Sequence, residues 1–190
     1  MVKNSMHAET LEARSALGST RNQQPQPILD TEGLRVIEEP FLQIISLRKS
    51  RRLPDNSLVS NWLSSVGLSS PQTFNGLSGN AQLGCCWFEP NAWLVTATKP
   101  VAMLTAEAGL FATTISDRLV AFRLSGPQAA QVIAAGCDPS IVKIGTCART
   151  RFASFATVLI QRWDDQDYRL LLDVSMARSF AGWLLDASRL

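Results

Sequence analysis

The clearest alternation of apolar and polar positions runs from Arg118 to Leu124. Val120, Phe122 and Leu124 fall on one side and Leu119, Ala121 and Arg123 on the other, which predicts a strand. Ser125-Gly126-Pro127 stops it. Proline is tolerated at the first helical position, where its missing N–H would have no partner, and Ser or Gly before it can cap. Gln128–Ala135 is then a short Ala-rich helix, and Gly136 is expected to end it in the left-handed conformation. Every local signal in this strand, turn and helix agrees, so the unit anchors the reading of the rest.

The same pattern predicts the other elements. Phe41–Leu47 reads as a strand running into Arg48-Lys49-Ser50-Arg51-Arg52, the densest charge run in the chain. Asp55 is expected to cap a helix with the apolar face Leu58, Val59, Trp62, Leu63 and Val66, ended by Gly67. Ser69–Gly79 reads as loop. Gly84–Phe88 and Ala92–Thr98 form a hairpin around Glu89-Pro90-Asn91, and Pro100–Leu110 a helix. Phe111–Ser116 is expected to pair with Arg118–Leu124. Thr146–Phe152, Ala156–Trp163 and Tyr168–Val174 are strands, the last two joined by a turn at Asp164-Asp165-Gln166-Asp167. Ser175 is expected to cap a final helix whose buried stripe is Met176, Phe180, Trp183 or Leu184, and Ala187. Before all of this, Thr10–Leu17 is compatible with a short helix, and the Gln- and Pro-rich run from Asn22 to Pro27 reads as a linker. Residues 1–32 are therefore expected to be a flexible leader and residues 33–190 a single domain. Strands arrive mostly in pairs between single helices. That predicts an α+β fold of largely antiparallel sheets with helices packed on one face and ferredoxin-like β-α-β units.

Composition narrows the function. With 190 residues, 46% apolar and 18% charged, the chain can build one good core, burying roughly 70% of its unfolded surface. The low charged fraction leaves uncharged surface that favours a protein partner. A net charge of +2 argues against nucleic acid as the main partner, and no aromatic residue interleaves the basic run. That run otherwise suits an acidic partner surface, which keeps an adaptor role open. The four cysteines, Cys85, Cys86, Cys137 and Cys147, make no CxxC pair and fit a reducing cytoplasm. No apolar run has the length of a signal peptide or a membrane span, so a soluble cytoplasmic protein is expected, with no membrane contact.

His7 is the only histidine and lies in the leader, which leaves no imidazole for a triad or a histidine-based metal site in residues 33–190. Gly76-Leu77-Ser78-Gly79 lacks the phosphate-loop patterns, and the Asp164–Asp167 turn lacks the glycine and glutamate of a calcium loop. No catalytic, cofactor-binding or metal-binding residue is assigned. Of the five tryptophans, Trp87 and Trp93 flank the hairpin. With Arg178 on the last helix, they are the candidate interface residues.

Four segments carry a resemblance. Pro90-Asn91-Ala92-Trp93-Leu94-Val95 is similar to a Gly-Pro-Asp-Glu-Trp-Leu segment, and Leu124-Ser125-Gly126-Pro127 with Gly136-Cys137 to a Leu-Ser-Gly-Pro turn, helix and Gly-Cys. Gly145-Thr146-Cys147-Ala148-Arg149-Thr150 resembles a Gly-x-Cys-Ala-Gln-Thr strand. Tyr168–Leu172 with Arg178-Ser179-Phe180-Ala181 and Trp183-Leu184 resembles the C-terminal strand and helix of the same family. Glu89 stands where that family often has Gly and Ala92 where it has Glu, and Arg149 replaces Gln. The family is the gamma subunits of heterotetrameric sarcosine oxidases, which look like half of the folate-binding fold of glycine-cleavage T-protein. The resemblance implies a subunit without redox cofactor, with FAD, FMN, NAD and tetrahydrofolate on partner subunits. The implied partners are the large alpha flavoprotein subunit and the beta and delta subunits. The implied reaction is demethylation of sarcosine to glycine, with the one-carbon unit passed to tetrahydrofolate or released as formaldehyde. A gamma subunit of an N-methylglutamate dehydrogenase fits the same segments. A free-standing folate-binding enzyme would instead need a buried carboxylate, for which Asp117 and Asp173 are the strand-end candidates.

Overall fold

The computed structural model describes residues 14–19, 26–102 and 108–189. Eleven strands and three helices follow in the order β1 (Pro27–Asp30), β2 (Arg35–Glu38), β3 (Gln43–Lys49), α1 (Ser57–Ser65), β4 (Leu77–Gly79), β5 (Leu83–Glu89), β6 (Ala92–Ala97), β7 (Leu110–Thr114), β8 (Leu119–Ser125), α2 (Ala129–Gly136), β9 (Thr146–Phe152), β10 (Phe155–Asp164), β11 (Asp167–Asp173) and α3 (Ala177–Ala187). The strands form a six-stranded sheet, β1-β2-β8-β11-β10-β9, and a five-stranded sheet, β4-β5-β6-β3-β7. Every strand pair within them is antiparallel. The fold is α+β, as expected. Among the described residues there are two β-α-β units, β3-α1-β4 and β8-α2-β9, and in each the helix carries the chain across the sheet face to the far edge.

Alternation in β8 explains the layering. Val120, Phe122 and Leu124 join Leu170, Leu172, Ile160 and Val158 on one face, covered by Val132 and Ile133 of α2 and Phe180 and Leu184 of α3. Ala121 faces the other way, with Leu159 and Leu171, onto the second sheet. That sheet presents Ile44, Cys86 and Leu94 to this inner layer, and Ile45, Leu47, Cys85, Trp93 and Val95 to its own helix α1. Two sheets therefore stack face to face, and helices cover the outer face of each. Three apolar layers result, each buried by neighbours that are distant in sequence.

Local chemistry sets the element ends. Asp55 accepts hydrogen bonds from the Ser57 backbone N–H (2.9 Å) and hydroxyl (2.6 Å), turning the chain into α1. Gly67 follows α1 with φ of +84°. Asp173 does for the last turn what Ser175 was expected to do: it accepts from the Ser175 backbone (2.9 Å) and hydroxyl (2.6 Å). Of the stripe expected on α3, Phe180, Leu184 and Ala187 are buried, joined by Ala177 and Ala181, while Met176 precedes the helix and is exposed.

Several expectations are corrected. β7 does not pair with β8. It pairs with β3 in the other sheet, and a short 3-10 turn at Ser116–Arg118 carries the chain from sheet to sheet. Residues 77–79, read as loop, form β4. Gly136 is not left-handed. It is the last residue of α2, and a Cβ there would lie 2.2 Å from Phe152 Cζ, so the position needs glycine for close approach. Two pieces of the expected leader are built into the fold. Residues 27–30 form β1, and in the turn at 14–19 the Ser15 hydroxyl donates to Glu38 (2.8 Å) and the Leu17 N–H to the same carboxylate (3.3 Å). The helix expected at Thr10–Leu17 falls partly outside the described residues, and its described part is that turn. Of the helix expected at Pro100–Leu110, residues 103–107 lie outside the described residues, the described residues 100–102 and 108–110 are not helical, and Leu110 begins β7.

The turn after β8 is where a single atom matters most. Gly126 has φ of +113°, and a Cβ there would stand 2.6 Å from the backbone oxygen of Gly33. That oxygen already accepts the Gln128 N–H at 2.9 Å, so it is not free to move. Gly126→Val is expected to cost about 1–3 kcal/mol from backbone strain alone. A thermal melt checks it, and an unchanged midpoint would show that the turn tolerates a branched side chain.

Candidate functional site

The inner layer between the sheets holds the chain's buried polar chemistry. Arg169 of β11 is the centre of one end. It points away from α2 and α3 because its neighbours Tyr168 and Leu170 occupy the helix-facing side. Its side chain is 0% exposed, and it donates to both oxygens of Glu39, to Thr96 Oγ1 of β6 (3.0 Å) and to the backbone oxygen of Ala81. One guanidinium thus joins the six-stranded sheet to the five-stranded sheet and to the loop between β4 and β5. Beside it Arg123 of β8 makes a bidentate pair with Asp167 (2.8 and 2.7 Å), and the Asp167 carboxylate raises the Arg123 pKa.

Next along the layer, Gln161 of β10 donates to Cys86 Sγ of β5 (3.4 Å) and lies opposite Cys147 of β9 in the ladder. Burial opposes a thiolate at Cys86, but the contacts of Cys147 and Gln161 and the charge of Arg169 outweigh it and lower its pKa. The contact with Cys86, and then burial, push the Cys147 thiol up, and burial pushes Cys85 well up. Cys85, Cys86 and Cys147 are all buried, out of reach of a substrate. Among the described residues no group of three or more His, Cys, Asp or Glu could hold a metal ion, and His7 lies outside them.

Glu89 of β5 closes the other end. It pairs with Arg48 of β3 (3.6 Å) and Arg149 of β9, again tying the sheets together. Glu89 and Arg149, two of the three departures from the resembled family noted above, are ion-pair partners here.

Two clefts open on this layer. One of about 590 Å³ is lined by Glu38, Glu39, Gln43, Ser116 and Asp117. The other, of about 310 Å³, is lined by Arg48, Glu89, Arg118, Arg149, Leu171 and Asp173. The candidate carboxylates for a folate-binding enzyme thus lie at different clefts. Both are exposed. Hydrogen bonds from Ser175 hold Asp173 below the usual carboxylate range, the opposite of what a general acid needs.

The structure separates the three candidate interface residues. Arg178 is exposed on α3. Trp87 is half-buried, with Phe74 edge-on at 5.9 Å and Trp93 stacked at 5.4 Å. Trp93 is 0% exposed, packed under α1, and presents nothing to a partner. Its place on a hairpin beside a turn suggested an anchor, but α1 covers that face of the hairpin. None of the five tryptophans is fully exposed, since Trp62 is buried and Trp163 and Trp183 are half-buried. Arg169 and Glu39 were missed. The signal was there: Arg169 is the one charge inside the apolar run Tyr168–Leu172.

No protein-family profile matches the chain, and no curated protein does either. Solved structures do. The fold is similar to a chain of the heterotetrameric sarcosine oxidase from Corynebacterium sp. U-96 in complex with pyrrole 2-carboxylate, with a TM-score of 0.71 and 20% identity over 85% of this chain and 86% of that one. It is also similar to glycine cleavage system aminomethyltransferase T from Bartonella henselae, with a TM-score of 0.56 and 16% identity over 80% of this chain and 45% of that one. The chain therefore spans less than half the length of that aminomethyltransferase. No helix among the described residues is long and apolar enough to cross a membrane. The T-protein-like architecture expected from the four segments is the architecture of this chain.

Proposed function

We propose that the chain is a non-catalytic gamma-type subunit of a cytoplasmic, flavin-dependent complex that oxidises sarcosine or a related N-methyl amino acid. In this reading it docks to the large flavoprotein subunit and stabilises it. FAD, FMN, NAD and tetrahydrofolate then sit on the partner subunits. The observation that carries the reading is the match of extent: the fold spans 86% of one chain of a heterotetrameric sarcosine oxidase but 45% of an aminomethyltransferase. The chemistry of the inner layer supports it. Among the described residues its arginines are held by carboxylates, Arg169 and Glu89 tie sheet to sheet, and its thiols Cys85, Cys86 and Cys147 are buried. What the chain supplies is a rigid, two-sheet body.

Affinity purification of the chain from its own cells tests this. A larger flavoprotein is expected to co-purify and to give the complex a flavin absorbance spectrum. The isolated chain is expected to bind no flavin, nicotinamide or metal tightly. Stoichiometric flavin or zinc on the isolated chain, or a native chain that stays monomeric, would overturn the proposal. Activity of the captured complex on sarcosine against N-methylglutamate separates the oxidase from the related dehydrogenase.

A further inference from the structure

The two sheets end in four edges, and three of them are guarded. β1 starts with Pro27, carries Asp30 paired to Arg35 (3.8 Å) and has α3 packed against it. β9 carries Arg149 and Arg151. β4 and β9 are also tied to each other, because the Leu77 N–H donates to Gly145 O (2.9 Å) and the Cys147 N–H to Asn75 O (2.7 Å). Proline, charge and cover are the usual devices that keep a strand edge from pairing with another chain.

Among the described residues, β7 has none of them. Leu110-Phe111-Ala112-Thr113-Thr114 contains no charge and no proline, and its register with β3 runs without a bulge. Among the described residues no strand pairs with its other side. The direction of its free groups follows from the ladder. The Ile115 N–H donates to Ile44 O (2.8 Å) and the Ser50 N–H to Gly109 O (2.7 Å). Bonded pairs alternate along an antiparallel ladder, so Phe111 and Thr113 bond to β3. Leu110, Ala112 and Thr114 therefore aim their N–H and C=O groups outward.

The surroundings give that edge a sign. Phe111 lies opposite Arg48 in the register and is 61% exposed. Arg51 and Arg52 are exposed in the turn after β3, which the Ser50 bond to Gly109 holds against the start of β7. Arg118 is exposed just beyond the other end. Among the described residues the nearby acids are Glu89, already paired to Arg48 and Arg149, Asp55, which is bonded to Ser57, and Asp117. Glu107, three residues before Leu110, lies outside them. Among the described residues the start of the strand is net basic.

We propose that the β7 edge receives an extended, acidic segment of the flavoprotein partner, added as a sixth strand to the five-stranded sheet. Its main chain pairs with Leu110, Ala112 and Thr114, an apolar side chain covers Phe111, and its carboxylates face Arg48, Arg51 and Arg52. This rests on the docking function proposed above and names the surface and the chemistry of the contact.

Residue-level hydrogen exchange on the free chain and on the complex captured from its own cells tests it. The amides of Leu110, Ala112 and Thr114 are expected to exchange readily in the free chain and at least tenfold more slowly in the complex. Ala112→Pro removes an outward N–H and none of the N–H groups that bond to β3. It is expected to weaken partner binding at least tenfold. Arg51→Glu with Arg52→Glu, at two exposed side chains, is expected to weaken binding at low salt and flatten its salt dependence. If the flavoprotein co-purifies but these amides exchange as in the free chain, the edge is not the site, although docking stands. If no flavoprotein co-purifies, the docking function itself falls. Protection already present in the dilute free chain would mean that the chain covers its own edge. Protection that grows with concentration, together with a dimer on gel filtration, would assign the edge to a second copy. Either result overturns the proposal.

Discussion

Trp93→Ala is expected to lower the stability of the isolated chain by about 3–5 kcal/mol, the usual cost of truncating a large buried aromatic side chain. Trp93 is 0% exposed on β6, stacked on Trp87 with ring centres 5.4 Å apart, in the layer that α1 closes with Val59, Trp62 and Leu63. Removing it leaves a hole that the sheet cannot collapse into, because β6 is held by β5 on one side and β3 on the other. Trp93→Phe is expected to recover most of the loss. The Trp93 Nε1 is buried without a hydrogen-bond partner among the described residues, so phenylalanine keeps an aromatic ring and removes an unsatisfied donor. Urea melts of both variants check this. If Trp93→Ala melts like the wild type but loses its partner, Trp93 is an interface anchor after all.

That reversal shows what the sequence made legible. β8, its turn and α2 were readable because their determinants are local: alternation, Gly126 and Pro127. The hairpin of β5 and β6 and the run β9-β10-β11 were readable for the same reason. The destination of β7 was not. β7 buries Leu110 and half-buries Ala112 but leaves Phe111, Thr113 and Thr114 exposed, so its own residues carry no mark of which sheet it joins. β1, β2 and β4 have three or four residues each, too few to show a period, and their pairing partners come from elsewhere in the chain. Burial of Trp93 depends on α1, some thirty residues upstream, which no local pattern at the hairpin records. The polar inner layer was hidden differently. Arg169 stood out as a charge in an apolar strand, but its partners Glu39, Thr96 and Ala81 are 130, 73 and 88 residues away.

Arg169 also carries the other large expected effect. Arg169→Met keeps much of the side chain's length and removes its charge, leaving Glu39 with its side chain only 10% exposed and without its cation. Breaking a buried pair by deleting one partner typically costs about 3–5 kcal/mol, because the remaining charge is uncompensated. Most of that cost belongs to the stranded carboxylate rather than to the pair. One consequence separates this from a simple packing loss. Arg169→Met with Glu39→Gln is expected to be less damaging than Arg169→Met alone, because the glutamine leaves no buried charge without a partner. Urea melts of the single and double variants check this. No rescue by Glu39→Gln would mean that Arg169 holds the two sheets together by its bonds to Thr96 and Ala81 and not by its charge.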